Sequence, residues 1–161
     1  MTTDLTLPAA DGFVTLRVGA IIQKDDKFLM VGNEREDYCY SVGGRIQFGE
    51  TAEEAVRREV FEETGVRLEI DRLGFIHENY FYGDAPYNLG KLIYEVAFFF
   101  YMRTPADFEP VCESFDEGGS REKLVWLSAD SPIRFYPDFF RTELAHPSDG
   151  VRHMVTDERR K

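Results

Sequence analysis

Three glutamates near the end of one predicted helix carry the most visible chemistry in this sequence: Glu59, Glu62 and Glu63. On a helix, Glu59 and Glu63 lie one turn apart, roughly 6 Å along the axis. Glu62 is three residues from Glu59 and sits beside them. Carboxylates spaced this way can converge on one or two hard cations, which take oxygen ligands. The alternative is a solvated acidic face, which like charges four apart destabilise by only about 0.2–0.5 kcal/mol. Position argues against that alternative. Glu62 and Glu63 fall in the last turn, where the helix dipole is negative and each acid is disfavoured by about 0.3–1 kcal/mol. The first turn, where acids belong, already holds Glu53 and Glu54. A local rule broken twice at one place suggests a site, with a bound cation as the compensation. Arg58 gives partial relief, since helical spacing lets it pair with Glu54 and Glu62.

The helix that must hold these acids spans residues 51–64. Thr51 and Glu54 fit a capping box. Ala52, Ala55, Val56 and Val60 form an apolar stripe, and Gly65 is placed to end the helix. Before it, residues 14–22 and 28–32 read as a strand hairpin. Residues 39–42 form a short strand that runs into Gly43-Gly44. After the helix, residues 67–82 and 91–103 read as long strands. Residues 104–121 make an acidic loop, 122–127 another strand, and 132–144 a helix. Residues 1–12 and 155–161 look loose, with a short strand in the tail. Mixed strands with a few helices on their faces predict an α/β sandwich. No linker divides residues 1–161, so a single domain is expected.

Composition narrows the partners. The chain has 161 residues, 43% of them apolar, and a formal charge of −11. That charge disfavours nucleic acid and anionic membrane, both of which need a basic face. It leaves open a phosphorylated substrate bridged by a divalent cation. Cys39 and Cys112 lie far apart, and no Cys/His cluster suggests zinc; two free thiols in a reducing cytoplasm is the simpler reading. The N-terminus shows no secretory pattern, and the longest apolar run, residues 96–102, is too short to span a bilayer. His77, His146 and His153 have no ligand spacing. Arg45, after the Gly-Gly turn, could touch a substrate phosphate. Tyr38, Tyr40, Phe48, Tyr80, Phe81 and Tyr82 flank the presumed cleft and could stack on a base. A general base must also accept a proton from water. Glu62 is one candidate, and the loop acids Glu113, Asp116, Glu117 and Glu122 are others; Glu122 is favoured because it opens the strand leading to Trp126.

Gly44, Glu50, Arg58-Glu59-Val60, Glu62-Glu63 and Gly65-Val66 together resemble the Nudix box at every defined position. The order of flanking elements is similar to that family as well. The resemblance implies a Nudix α/β/α sandwich with a mixed sheet. It implies a hydrolase that uses Mg²⁺ or Mn²⁺ on a nucleoside diphosphate linked to another moiety. By the same resemblance Glu59 and Glu63 are the principal metal ligands, Glu62 is an auxiliary ligand or orients water, and a carbonyl of Gly43 or Gly44 completes the set. Arg58 would orient the glutamates and Glu50 would support the loop. Val42 departs from the pattern, since many relatives have proline there, which affects loop stiffness and not the ligands. Tyr80 and Tyr82 fall where relatives acting on dinucleoside polyphosphates carry tyrosine. ADP-ribose-specific relatives tend to have proline in that region, and Pro86 comes too late. A homodimer is common among relatives. The competing reading is a non-catalytic Nudix module that senses a ligand, although such modules often lose box glutamates and none is lost here. Isomerase chemistry would want a catalytic cysteine, which neither Cys39 nor Cys112 supplies in a persuasive context.

Overall fold

A computed structural model describes residues 2–111, 114, 115, 119 and 121–160. In chain order the elements are β1 (Thr6–Ala9), β2 (Gly12–Ile21), β3 (Gln23–Lys24), β4 (Lys27–Asn33), β5 (Tyr38–Arg45) and α1 (Ala52–Thr64). They continue with β6 (Glu69–Tyr82), β7 (Leu92–Arg103), β8 (Ser114–Phe115), β9 (Arg121–Ser128), β10 (Arg134–Tyr136), α2 (Phe140–Glu143), β11 (Arg152–Asp157) and a closing 3-10 turn, Glu158–Arg160. The strands form one sheet in the order β11-β6-β7-β2-β5-β4-β9-β8, with β1 on β2, β3 on β4 and β10 on β5. β2 runs parallel to β7, β6 to β11 and β5 to β10; the other pairs are antiparallel. The expected α/β fold with a mixed sheet is the one that forms.

Strand alternation sorts the core into two layers. Phe98, Phe100 and Met102 of β7 pack with Val18, Ala20, Val42 and the apolar stripe of α1. Ala97, Phe99 and Tyr101 point the other way, toward Phe28, Phe75, Phe135 and Phe140. The second layer is rich in rings set edge to face, such as Phe28 with Phe135 at 5.2 Å and with Phe140 at 5.8 Å.

α1 follows its sequence signals closely. Thr51 accepts from the Glu54 amide at 3.2 Å, and Glu54 returns a carboxylate to the Thr51 amide at 2.7 Å. Gly65, at φ 75°, donates its amide to Phe61 O and ends the helix. Ala55, Val56 and Val60 are fully buried and hold the helix against β2, β5 and β6.

β5 is the seam of the sheet. Residues Val42–Arg45 pair with β2, whereas Cys39–Ser41 pair with β4 on the other side and Tyr38–Tyr40 with β10. Where β4 has turned away, the outer edge of β5 at residues 43–45 has no strand partner among the described residues. Side chains from α1 take its backbone groups instead: the Gly43 amide donates to Glu63 Oε2 at 2.8 Å, and Arg58 Nη2 donates to Arg45 O at 3.1 Å.

Several expectations need correction. Residues 5–12 are not loose, since β1 pairs with β2 and the Leu5 amide donates to Ile46 O. The tail likewise forms a six-residue strand parallel to β6. Residues 132–144 are mostly not helical. Pro137 lacks an amide, and a residue before proline is driven toward extended backbone, so Arg134–Tyr136 joins β5 as a strand. Only Phe140–Glu143 is helical. The acidic loop includes the two-residue strand β8 against β9; Cys112, Glu113, Asp116 and Glu117 lie outside the described residues. Cys39 is buried and its thiol is free. Among the described residues no helix is long and apolar enough to cross a membrane.

His77 ties β6 to β11 by pairing with Thr156 Oγ1 at 2.9 Å, and it packs edge-on against Phe139. Burial depresses its pKa from 6.5 to about 4. The fold therefore holds fewer protons than the unfolded chain between those values, and acid favours unfolding. The stability due to neutral His77 is complete above pH 6.5 and is lost as pH falls toward 4, by about 3 kcal/mol across the window. Urea melts of wild type and His77→Gln should show a pH-dependent difference over that range. Parallel pH curves would refute it.

Candidate active site

Glu63 is the most enclosed acid of the α1 cluster, 9% exposed, and its carboxylate accepts the Gly43 amide at the free edge of β5. Burial drives its carboxyl well above the ordinary range, the charges of Glu59 and Glu122 push the same way, and the Gly43 amide and Arg17 oppose them. Glu59 behaves similarly: burial raises its pKa, and Arg58 offsets this. The two glycines are shaped for these neighbours. A Cβ on Gly44 would stand 2.4 Å from Glu59 Oε1, and one on Gly43 would meet Val18 O at 2.1 Å. No larger residue lets the strand and the carboxylates approach so closely.

Arg58 organises the rest. It grips Glu50 with two bonds, Nη2 to Oε1 at 2.6 Å and Nε to Oε2 at 3.1 Å. Its Nη1 donates to Glu59 at 2.7 Å and to Glu62 at 3.2 Å. Glu50 also accepts the Gln47 amide, which fixes the loop leading into α1. The expected pair with Glu54 does not form, because the capping box uses that carboxylate. The pair with Glu62 does form. Hydrogen bonding to Glu50 holds the Arg58 guanidinium firmly protonated.

Glu122, 8% exposed, opens the way to Trp126 on β9 and accepts from the Tyr40 hydroxyl. Burial and then this bond raise the Tyr40 pKa, so the phenol stays protonated. Glu62, by contrast, has a 55% exposed side chain at the rim. The structure thus places Gly43, Gly44, Arg58, Glu59, Glu62, Glu63 and Glu122 in one neighbourhood, linked pair by pair.

Among the described residues, no three His, Cys, Asp or Glu side chains stand together in a group that could hold a metal ion as they are placed. The donor set nevertheless suits a cation. Burial makes charge costly on both Glu59 and Glu63; Glu62 adds to that cost at Glu59, and Glu59 and Glu122 add to it at Glu63. All the donors are oxygens, which a hard divalent cation prefers.

Arg45 lies on the flank, donating to the Tyr87 hydroxyl at 3.0 Å and standing 3.6 Å from Asp4. Tyr80 is elsewhere: its ring stacks on Tyr94 at 4.5 Å, and Arg159 covers it at 3.7 Å. Tyr82 is exposed at the end of β6. Neither tyrosine contacts the glutamate cluster among the described interactions. Tyr38 donates to Asp84, and Phe48 projects into solvent at 80% exposure. The sequence reading missed Arg17, Tyr87 and the Tyr40–Glu122 bond. For Arg17 a signal was available, since it is the one charged residue in β2.

A family model described as the NUDIX domain matches residues 14–142, from β2 into α2. Over 61 residues the chain is 34% identical to a MutT-like protein of Streptomyces ambofaciens, covering 38% of this chain and 40% of that one. Over 52 residues it is 44% identical to an ADP-ribose pyrophosphatase of Methanocaldococcus jannaschii, covering 30% and 31%. The match therefore spans less than half the length of these curated relatives. Among solved structures, a MutT protein from Bacillus halodurans aligns with a TM-score of 0.65 at 20% identity over 91% of this chain and 93% of that one, a likeness of fold. With a family match that takes in the seam strand, the glycine turn and the glutamate helix together, the chain belongs to the NUDIX family.

Proposed function

We propose that the chain is a divalent-cation-dependent pyrophosphohydrolase that cleaves the phosphoanhydride bond of a nucleoside diphosphate linked to another moiety. The observation that carries this reading is the buried Glu63 carboxylate on the Gly43 amide, with Glu59 and Glu122 crowding their charge against it. Glu59 and Glu63 would hold Mg²⁺ or Mn²⁺, with Glu62 and a carbonyl of Gly43 or Gly44 completing the donor set. When bound, such a cation neutralises the diphosphate, lowers the pKa of a water and stabilises the leaving phosphate.

The chain's own groups do the rest. Arg58 holds Glu59 and Glu62 in one orientation while pinning the loop through Glu50. Arg45 offers a guanidinium to a substrate phosphate. Glu122 is the general base we favour: it is enclosed beside the acids, and its bond from Tyr40 fixes the carboxylate. Glu62 is the alternative base, at the open rim.

The test is phosphate or nucleotide release from a panel with and without Mg²⁺ or Mn²⁺. The panel should hold nucleoside triphosphates, dinucleoside polyphosphates, nucleotide-sugars and ADP-ribose. ADP-ribose belongs in it because a relative carries that activity in its name, although Tyr80 and Tyr82 hinted against it. At least one substrate should turn over, and a chelator should stop the reaction. Tight binding of a panel member without turnover would instead favour a ligand-sensing module.

A further inference from the structure

Arg17 and Glu95 lie beside the glutamate cluster, yet the reaction described above uses neither. Register places them on one face of the sheet with Arg45. Arg17 is directly opposite Arg45 across the β2–β5 pair, and Thr15, two residues from Arg17, is opposite Glu95 in the β2–β7 pair. Like charges directly opposed in an antiparallel pair repel. Glu95 offsets this only in part: its Oε2 stands 3.6 Å from Arg17 Nε, longer than a charge-assisted hydrogen bond. Among the described residues this is the one ion-pair or hydrogen-bond partner of the Arg17 guanidinium, so no protein acceptor takes its two Nη groups. The pair is recessed but open to solvent, with side-chain exposures of 31% and 17%.

Register sets the pair next to the cluster: Val18, beside Arg17, lies opposite Gly44, where an added Cβ would stand 2.4 Å from Glu59 Oε1. Burial pushes the Glu95 carboxyl up, and Arg17 and then Arg45 pull it back. Neighbouring strands that keep one arginine and one glutamate recessed, loosely paired and short of hydrogen bonds are arranged to receive a ligand that carries both an anion and a donor. Two arginines side by side next to a cation-seeking cluster suit a diphosphate, with one phosphate served by each.

We infer that Arg17 and Glu95 form a recognition pair for the nucleoside diphosphate part of the substrate: the Arg17 Nη groups donate to a phosphate, and the Glu95 carboxylate accepts from a hydroxyl or amino group of the attached nucleoside. This rests on the hydrolase reading for the identity of the ligand. It makes Arg17 a phosphate contact alongside Arg45 and makes Glu95 the residue that tells a nucleotide from a bare diphosphate.

Titration calorimetry with inorganic pyrophosphate and with ADP, both in Mg²⁺, separates the two roles. Arg17→Gln should weaken both probes on the order of tenfold. Arg17→Lys should recover only part of the loss, because an ammonium lacks the planar fork. Glu95→Gln should weaken ADP by a similar factor and leave pyrophosphate unchanged. Melting temperatures report whether each variant is folded. The inference is overturned if wild type binds neither probe, if Arg17→Gln binds both as wild type does, or if Glu95→Gln loses both in parallel with its melting temperature. Should the substrate panel show turnover while Arg17→Gln keeps the wild-type KM, the pair fails and the hydrolase reading stands. Should ADP bind through Arg17 while nothing in the panel is hydrolysed, the pair stands and the hydrolase reading fails.

Discussion

Glu63→Gln should lower kcat by about 10³-fold or more while leaving the protein folded. In the proposed mechanism several kcal/mol of transition-state stabilisation would rest on a bound cation, and each tenfold in rate corresponds to about 1.4 kcal/mol. The substitution removes a charge and keeps the shape, so the side-chain oxygen can still accept the Gly43 amide. Its effect on stability should run opposite to its effect on activity. The folded Glu63 carboxyl titrates well above its ordinary value because of burial. Stability from its protonated form is present at low pH and lost as pH rises through the folded pKa. Metal-free wild type should therefore weaken as pH rises, and Glu63→Gln should weaken less. Adding Mg²⁺ should raise the wild-type melting temperature and leave that of Glu63→Gln nearly unchanged. A variant that retains wild-type turnover, or a wild type indifferent to Mg²⁺, would remove the basis of the proposed mechanism.

Arg58→Ala is expected to cost about 3 kcal/mol of stability, the scale for removing one partner of a partly buried charge network. The guanidinium makes five hydrogen bonds: two to Glu50 and one each to Glu59, Glu62 and Arg45 O. Their loss leaves Glu50 and Glu59 without a hydrogen-bonded cation and the Arg45 carbonyl without that donor. Activity should also fall, by on the order of 10²-fold, since misplacement of catalytic groups by about 1 Å has that effect. Arg58→Lys keeps the charge but cannot reproduce the planar bidentate grip on Glu50, so it should restore less than half of the lost stability. Denaturant melts and kcat measured on the same preparations check both parts. Full rescue by lysine would show that charge alone matters at this position.

The parts of this architecture visible in the sequence are those set by short-range chemistry. The Thr51–Glu54 capping box, the apolar stripe of α1 and Gly65 act within a few residues of one another, and the helix forms as they require. The box glutamates were legible for the same reason. Where sequence reasoning failed, either a competing local contact or residues distant in sequence decided. Glu54 was assigned to Arg58 from spacing, but the helix cap claimed its carboxylate first. Residues 132–144 carry enough aromatic residues to imitate a helical stripe, yet Phe135 is wanted in the ring layer with Phe28, and Pro137 stops helical bonding. The Tyr40–Glu122 bond joins residues 82 apart in sequence, and Arg17 meets Arg45 only through strand register. No local pattern encodes such meetings; they follow from how β2, β4, β5 and β9 line up.

Because β5 exchanges neighbours midway along its length, the proposed catalytic groups answer to two separately packed blocks of protein. Trimming a ring at Phe28 or Phe135, on the side away from the acids, would loosen the β4 and β10 flank and let the Gly43 amide drift from its carboxylate. Changes that look purely architectural would then surface as kinetic defects, and repairs to turnover would be found among buried rings as readily as among charges.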